Sequence, residues 1–318
     1  MSVSSEKIAT RVAYGKTLVE LGALNENVVV MDADLSKSTM TAEFSKNFPE
    51  RFIQMGISEQ DMMSTAAGIA STGKTVFVST FAVFATGRAW EQVRNSIAYP
   101  KMNVKICATH SGVTVGEDGG SHQSVEDIAL MRAIPNMKVI VPSDAVSTKW
   151  AVKEALNIDG PVYIRLGRLA VPAVYDDNEQ FEFGKAKKIL EGNGVTIVAC
   201  GLMVDIAVKA AKELEKEGIT ASVVDMLSIK PLDTDVLDSA ALQTGAIVTV
   251  EEHSVIGGLG GAVCEYLSGT NPVPVVQVGV KDQFGKSGKP DELLEKFNLT
   301  CSDIKAAALK AVSMKNKR

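Results

Sequence analysis

The sequence has few of the residues that mark several common classes of protein. Aromatic residues make up 5% of its 318 residues, and there are only 3 histidines and 4 cysteines. The cysteines stand far apart, at Cys107, Cys200, Cys264 and Cys301. Because no CxxC pair or neighbouring histidine accompanies them, we expect no zinc site or redox pair. Reduced, buried thiols of a cytosolic protein fit this pattern.

The sequence also lacks an excess of positive charge and any long apolar run. Its net charge is −5, so it has no basic field for nucleic acid or for an anionic membrane surface. No stretch approaches the length of apolar residues that a membrane-spanning helix needs. The opening residues, MSVSSEKIATR, lack the apolar core of a signal peptide, and we expect a cytoplasmic protein.

Short runs of valine and isoleucine alternate with helical patterns along almost the whole chain. Strands are predicted at Val28–Met31, Val76–Ser79, Val104–Ala108, Val139–Val141 and Val162–Arg165. Helices are predicted at Lys7–Leu21, Glu59–Ser71, Ala85–Ala98, Val125–Arg132 and Ala145–Asn157. Continuous apolar strands are typical of a parallel sheet covered by helices on both faces, so the predicted fold class is α/β.

A polar stretch divides the chain into two predicted domains. Ala173–Lys188 contains a cluster of acidic and amide residues without clear periodicity, which indicates a linker. A second α/β series follows, from a strand at Val195–Ala199 to two terminal helices. The length suits two domains, each with its own core. We expect domains at residues 1–180 and 187–318, each a largely parallel sheet flanked by helices.

The motif GISEQDM places Glu59 at the start of a predicted helix that is rich in small residues. Taken alone, a carboxylate in the first turn most often complements the helix dipole. The small residues that follow permit close packing against another helix or subunit. A carboxylate held at such an interface is partly desolvated and can share a proton strongly with a heterocyclic nitrogen. Both interpretations of Glu59 stay open on position alone.

Two phenylalanines, Phe81 and Phe84, follow the strand that ends at Ser79. Core packing is the ordinary role of phenylalanine. In α/β proteins, however, ligands bind at the carboxyl ends of the strands, and two rings there can form a wall against a flat ring.

A glycine-rich loop, THSGVTVGEDGGSHQ, carries two of the three histidines. Its glycines allow sharp turns and close approach of the backbone to a ligand. His110, Asp118 and His122 can converge there as hydrogen-bonding and acid–base groups for a polyhydroxyl substrate. A loop with surface histidines is the simpler alternative. A metal site is also conceivable but has no supporting second cluster.

Further polar residues are informative only as a set. Arg11 lies in the first helix, Asp34 and Ser38 follow the first strand, and Arg168 follows the strand ending at Arg165. Each is an ordinary surface residue when considered alone. Strand-end loops converge in this fold, and paired arginines suit a phosphate. The glycine cluster at residues 257–261, after Glu251-Glu252-His253, is interpreted as structural.

Together these motifs resemble the C-terminal half of transketolase, over nearly the whole chain. The resemblance rests on GISEQDM, STFAVF, THSGVTVGEDGGSHQSVE, PNMKVIVPSD and GPVYIRLGR, in family order and at family spacing, and GEDGGSHQ is the most specific of them. It implies a pyrimidine-binding domain followed by a transketolase C-terminal domain, with thiamine diphosphate as cofactor. It also implies that Glu59 contacts N1′ of the aminopyrimidine ring. By the same resemblance, Phe81 and Phe84 are expected to line and stack on that ring, and Ile57 to belong to the same cofactor-binding set.

The resemblance also implies a substrate site. The residues that match the group binding the substrate phosphate are Arg11, Ser38, His110 and Arg168. Asp118 matches a residue that contacts a substrate hydroxyl, and Asp34 matches a carboxylate of the substrate channel. His122 matches a histidine near the reacting carbons, which makes it a candidate catalytic residue with Glu59.

One family motif is missing. Full-length relatives bind the diphosphate and Mg²⁺ through a GDG sequence followed by an asparagine, and this chain has no such pair. The resemblance therefore implies a separate N-terminal subunit that holds most of the metal site, in an α2β2 assembly with two-fold symmetry. Two rivals remain open: the β subunit of another thiamine enzyme, such as a 2-oxo-acid dehydrogenase or a deoxyxylulose-phosphate-synthase-like enzyme, and a non-catalytic partner-binding protein.

Overall fold

A computed structural model describes residues 6–317, most of which lie in alternating strands and helices. In chain order the strands are β1 (Ile8–Ala9), β2 (Val28–Asp32), β3 (Phe52–Gln54), β4 (Thr75–Ser79), β5 (Val104–Ala108), β6 (Lys138–Ile140), β7 (Val162–Arg165), β8 (Ala170–Val171), β9 (Lys187–Leu190), β10 (Val195–Ala199), β11 (Ala221–Asp225), β12 (Ser228–Lys230), β13 (Ile247–Ser254) and β14 (Val275–Val280).

The helices cover the faces of the sheets that these strands form. The α-helices are α1 (Thr10–Leu24), α2 (Ser36–Thr39), α3 (Ala42–Asn47), α4 (Glu59–Ala70), α5 (Trp90–Gln92), α6 (Asp127–Ala133), α7 (Ala145–Asn157), α8 (Met203–Glu215), α9 (Thr234–Gln243), α10 (Leu259–Gly269), α11 (Pro290–Lys296) and α12 (Cys301–Lys315). Short 3₁₀ segments occur at Pro49–Arg51 and Val113–Asp118, and π-helical segments at Phe84–Arg88 and Val93–Ala98.

The larger sheet has the strand order β12-β6-β7-β5-β4-β2-β3. All neighbouring strands pair in parallel except β12, which is antiparallel to β6. Every residue of the central strands β2, β4 and β5 is buried. Helices on both faces explain this burial, and it is why these strands are almost continuously apolar. The parallel arrangement confirms the predicted α/β class.

The smaller sheet has the order β14-β13-β10-β11-β9. It is also parallel apart from its edge strand β9, which runs antiparallel to β11. A separate antiparallel pair, β1 with β8, ties the start of α1 to the segment after β7. One hydrophobic cluster joins the two sheets, since it contains both Val139 of β6 and Val198 of β10.

The structure differs from the predicted elements in three places. The region expected as one helix, Ala85–Ala98, is broken into π-helical and α-helical pieces. The end of the predicted linker already belongs to strand β9. Strand β12, which follows the linker, pairs with the larger sheet instead of the smaller one. Hydrophobic periodicity does not report any of these features, because each depends on tertiary pairing. Across residues 6–317, no helix combines the length and the apolar character that crossing a membrane requires.

Candidate functional site

The loops at one edge of the larger sheet carry most of the residues singled out from the sequence. Asp34 follows β2, Glu59 follows β3, Phe81 follows β4, His110 follows β5 and Arg168 follows β7. These five strands are parallel, so their carboxyl ends meet at the same edge. Ligands of open α/β sheets bind at this edge.

Four rings form a compact group at this edge. Phe81 and Phe84 are stacked, with centroids 6.0 Å apart and planes at 9°. His110 stacks on Phe81 at 3.8 Å, and His122 meets Phe84 edge-on at 5.5 Å. The strand end at Ser79 and the glycine-rich loop therefore contribute to the same site. An apolar wall with imidazole groups beside it suits a flat heterocyclic ligand.

Glu59 lies at the start of α4 and is only 2% exposed. Arg88 covers its carboxylate: Nη1 donates to Oε1 at 3.2 Å and to Oε2 at 3.0 Å. The Arg88 guanidinium also lies over the Phe84 ring, 4.7 Å from the centroid. The buried carboxylate and the aromatic wall are thus neighbours. A buried carboxylate needs a donor partner, and here Arg88 is that donor.

The second part of the site is positively charged. Arg11 donates through Nη1 to the backbone carbonyl of Ser38 at 2.6 Å. Arg168 donates to the carbonyl of Val115 and lies 3.6 Å from Asp118. Burial lowers the pKa of Arg11, and the nearby charge of Arg168 lowers it further. The Arg11 Nε is buried and has no hydrogen-bond partner within residues 6–317. Two converging arginines, one with a buried and unsatisfied donor, are suited to an anion.

His110 lies between the aromatic and the cationic parts. Its φ of +56° is in the left-handed region that non-glycine residues rarely adopt. The neighbouring Thr109 hydroxyl lies 2.9 Å from its Nδ1. Burial and the charges of Arg11 and Arg168 lower the pKa of His110 to about 3. His110 is therefore a neutral hydrogen-bonding group at this site, not a cation.

We expect the His110 ring to stay neutral from pH 8 down to pH 5 when no anion is bound. An unfolded histidine gains a proton near its ordinary pKa of about 6.5. Because the folded pKa is lower, stability due to His110 is present above pH 6.5 and is lost as the pH falls below it. NMR titration of the imidazole carbons of His110 measures this directly. A His110 midpoint near 6.5 is the contrary result.

Hydrogen bonds hold the glycine-rich loop against the second part of the chain, after the predicted linker. Gln123 donates through Nε2 to the carbonyls of Val113, Gly116 and Lys286, at 3.0, 3.1 and 2.8 Å. The buried Glu252 accepts from the backbone N–H of Thr114 at 2.6 Å. Burial raises the pKa of Glu252 to about 7. Residues beyond the predicted linker thus position the loop that carries His122.

The substitution Gly285→Ala should loosen this loop. A Cβ at Gly285 would lie 1.8 Å from Oε1 of Gln123, so Gln123 has to leave its three carbonyl partners. We expect a loss of about 1–3 kcal/mol of stability from overpacking and faster amide exchange in the loop. Hydrogen exchange followed by mass spectrometry measures the loop. Gly269→Ala, where a Cβ meets nothing within 4 Å, is the matched control. Unchanged exchange in Gly285→Ala would show that Gln123 does not hold the loop.

The glycine cluster near residue 257 has a structural role, as interpreted from the sequence. Glu251 accepts from the backbone N–H groups of Leu259 and Gly260 at 2.7 and 2.8 Å. Its carboxylate therefore occupies the helix N-terminus that could otherwise bind a phosphate. The buried His253 contacts the Ser254 carbonyl through Nδ1 and the Ala129 N–H through Nε2. Among the described residues, no group of three or more histidine, cysteine or acidic side chains could hold a metal ion.

The structure brings together most, but not all, of the candidate residues. Glu59, Phe81, Phe84, His110, His122, Arg11, Ser38, Arg168 and Asp118 are linked by the contacts above. Asp34 and Ile57 take no part in these contacts: Asp34 is exposed with φ +63°, and Ile57 is 76% exposed. Arg88 was not among the residues predicted from the sequence, although its spacing of four residues from Phe84 places both on one helical face. Gln123 and Glu252 were not predicted as supports of the loop either, and no local pattern identifies them.

Comparison with known protein families gives two matches that together cover most of the chain. The model of the transketolase pyrimidine-binding domain matches residues 6–173. The model of the transketolase C-terminal domain matches residues 184–304. The candidate site lies mainly in the first match, and Glu252 and Lys286, which contact its loop from the second part of the chain, lie in the second.

Individual relatives agree with these matches. A solved structure described as a split gene transketolase, an inactive beta4 tetramer, is 57% identical, covers 98% of this chain and 100% of its own, and has a TM-score of 0.90. A 6-deoxy-6-sulfo-D-fructose transketolase subunit from Clostridium sp. is 42% identical over 316 residues, 99% of this chain and 98% of its own. Human transketolase is 41% identical over 298 residues, 92% of this chain but 47% of its own length. The chain belongs to the transketolase family and corresponds to its pyrimidine-binding and C-terminal domains.

Proposed function

We propose that this chain is the C-terminal subunit of a thiamine-diphosphate-dependent transketolase that is active only with a separate N-terminal subunit. The observation that carries the proposal is the buried carboxylate of Glu59 beside the stacked rings of Phe81 and Phe84. The cationic set around Arg11 and Arg168 lies at the same sheet edge. The proposed domains are residues 1–180 and 187–318.

The residues of this chain fit the aminopyrimidine end of thiamine diphosphate. That cofactor supplies a nucleophilic carbon that can add to a ketose carbonyl and carry a two-carbon unit. Glu59 is placed to accept a hydrogen bond from a protonated ring nitrogen and hold that proton in a water-poor site. Phe81 and Phe84 offer the flat wall for the ring, and Ile57, which is 76% exposed, completes the proposed cofactor-binding set. Phe81, Phe84 and Ile57 offer neither the oxygen ligands that Mg²⁺ prefers nor the cationic donors that suit a diphosphate. The Glu59 carboxylate is already paired with Arg88.

The cationic set is placed to bind the anionic tail of a sugar. Arg11 and Arg168 supply the charge, His110 and Ser38 add neutral hydrogen-bonding groups, and Asp118 is available for a sugar hydroxyl. Asp34 would flank the substrate channel. His122 stands beside the rings, where it can move a proton at the reacting carbons. The proposed substrates are therefore a ketose phosphate, or a similar anionic ketose, as donor and an aldose as acceptor, as in pentose phosphate interconversion.

The proposed partner supplies the diphosphate and Mg²⁺ site, in an α2β2 heterotetramer. This chain spans 47% of the length of human transketolase and contains no GDG motif. Exposed apolar residues beside the site also suit an interface, since Ile57 is 76% and Phe284 is 87% exposed. Phe284 is adjacent to Gly285, which packs against Gln123 of the loop.

Product analysis of the reconstituted pair tests the proposal. The chain and an N-terminal transketolase subunit are mixed with thiamine diphosphate, Mg²⁺, a ¹³C-labelled ketose phosphate and an aldose phosphate. The proposal predicts that the label moves as a two-carbon unit, as read by NMR, and that neither chain does this alone. Release of CO₂ from a 2-oxo acid instead would identify the other class of thiamine enzyme. No turnover with any donor would identify a non-catalytic partner protein.

A further inference from the structure

We propose that Arg88 is a displaceable latch, which occupies the pyrimidine site until the cofactor enters. This inference rests on the proposed function, because it concerns the same Glu59 and Phe84. It assigns to Arg88 a role in regulating access to the site, which neither the family matches nor the motifs provide.

The contacts of Arg88 join the two groups that a pyrimidine ring needs. Its Nη1 lies within 3.2 Å of both carboxylate oxygens of Glu59. Its guanidinium carbon lies 4.7 Å from the centre of the Phe84 ring. The Glu59 side chain is 2% exposed and the Arg88 side chain 49% exposed, so Arg88 covers the carboxylate from the solvent side.

A guanidinium and a protonated aminopyrimidine offer similar chemistry to these two residues. Both are flat, both carry positive charge, and both direct N–H groups outward in their own plane. Each can lie on an aromatic face while donating to a carboxylate. A second flat group has no room between Arg88 and Phe84 at this separation. Cofactor binding therefore requires Arg88 to leave the Phe84 face.

The surroundings of Arg88 allow that movement. The side chain is long and half exposed, and it projects from the last position of the π-helical segment Phe84–Arg88. π-Helical turns are frequent at functional sites. Arg88 also stabilises the site while it is empty, because without Arg88 the buried carboxylate of Glu59 would have no cationic partner.

Binding of thiamine diphosphate to the assembled pair tests the latch. We compare wild type with Arg88→Met, which keeps length but has no charge or N–H donor, and with Arg88→Lys, which keeps charge but is not flat. Arg94→Met, an exposed arginine of the neighbouring π-helical segment, is the matched control. Dissociation constants and association rates follow from tryptophan fluorescence, since Trp90 lies two residues from Arg88.

The latch predicts that Arg88→Met binds the cofactor about 5–50-fold more tightly and associates faster, because a charge-assisted hydrogen bond no longer has to be broken. Arg88→Lys should lie between wild type and Arg88→Met, and Arg94→Met should equal wild type. If Arg88→Met does not fold, the dissociation constant of Arg88→Lys still tests the proposal, because the latch predicts tighter binding than in wild type. Equal or weaker binding in the Arg88 variants overturns the latch and leaves the proposed function intact. Absence of binding in wild type overturns the proposed function itself.

Discussion

The Glu59→Gln variant of the reconstituted pair should lose activity by a factor of about 10²–10⁴, the usual contribution of a positioned acid–base group. Glutamine keeps the size of the side chain but cannot stabilise a protonated ring nitrogen in the way a carboxylate does. We therefore expect the exchange of the thiazolium C2 proton for deuterium to slow by a similar factor. Quenched-flow exchange followed by NMR measures that step separately from substrate turnover.

Two controls separate this effect from misfolding. Asp61→Asn removes an exposed carboxylate from the first turn of the same helix and should retain wild-type exchange. Glu59→Gln should keep the wild-type circular dichroism spectrum, because glutamine preserves the shape of the buried side chain. Wild-type exchange and turnover in Glu59→Gln would show that Glu59 has only a structural role at the start of α4.

The largest expected effect on stability is at Arg165. Its Nε and Nη2 lie 2.7 and 3.1 Å from the two oxygens of Asp127, and Nη2 also donates to the carbonyl of Glu252 at 2.9 Å. Arg165→Met leaves Asp127 buried, with a hydrogen bond from the Tyr163 hydroxyl at 2.7 Å but without its cationic partner. Breaking one side of a buried pair costs about 3–5 kcal/mol. Urea denaturation at pH 7 measures the loss.

The stability difference between wild type and Arg165→Met should depend on pH, through the pKa of Asp127. Burial raises the pKa of Asp127, but the interactions with Arg165, His253 and Tyr163 together outweigh burial, and the pKa lies below its ordinary value. Wild type therefore keeps the stability of this pair until the pH falls through that lowered pKa. Arg165→Met removes the largest contribution that opposes burial, so the pKa of Asp127 rises. Protonation of Asp127 as the pH falls towards 5 should therefore reduce the stability difference from wild type.

The controls for Arg165 distinguish a lost ion pair from a lost side chain. Arg94→Met changes an exposed arginine and should alter stability by less than about 0.5 kcal/mol. The double variant Asp127→Leu with Arg165→Met removes both charges and should recover part of the loss. Equal stability of Arg165→Met and Arg94→Met would show that the buried pair contributes little.

Much of the fold could be predicted because its central strands and longer helices have clear local signals. Val162–Arg165 and Ala145–Asn157 were predicted with the observed bounds. The helix has a capping box at Asp144 and Ser147, which defines its start. Strand β12 was not predicted, because its three residues pair with a strand nearly ninety positions earlier in the chain. Local patterns carry no information about such pairing.

The candidate site could be predicted from motifs in part only. Glycines and histidines near residue 120 indicated a ligand loop, because their backbone freedom and hydrogen-bonding capacity are local properties. The residues that hold the loop, Gln123 and Glu252, act through contacts across 163 and 138 positions. Arg88 acts through a buried carboxylate 29 positions away. A sequence alone does not report these distances, and only the folded chain brings the groups together.

The most direct test is the crystal structure of the reconstituted pair with thiamine diphosphate and Mg²⁺. The account predicts that a Glu59 oxygen lies within about 2.6–3.2 Å of the aminopyrimidine N1′, the range of a hydrogen bond. It also predicts that the ring lies on Phe84, that Arg88 is displaced, and that the diphosphate and Mg²⁺ are held by the partner chain. A pyrimidine ring bound away from Glu59, or a diphosphate held by residues of this chain, would contradict it.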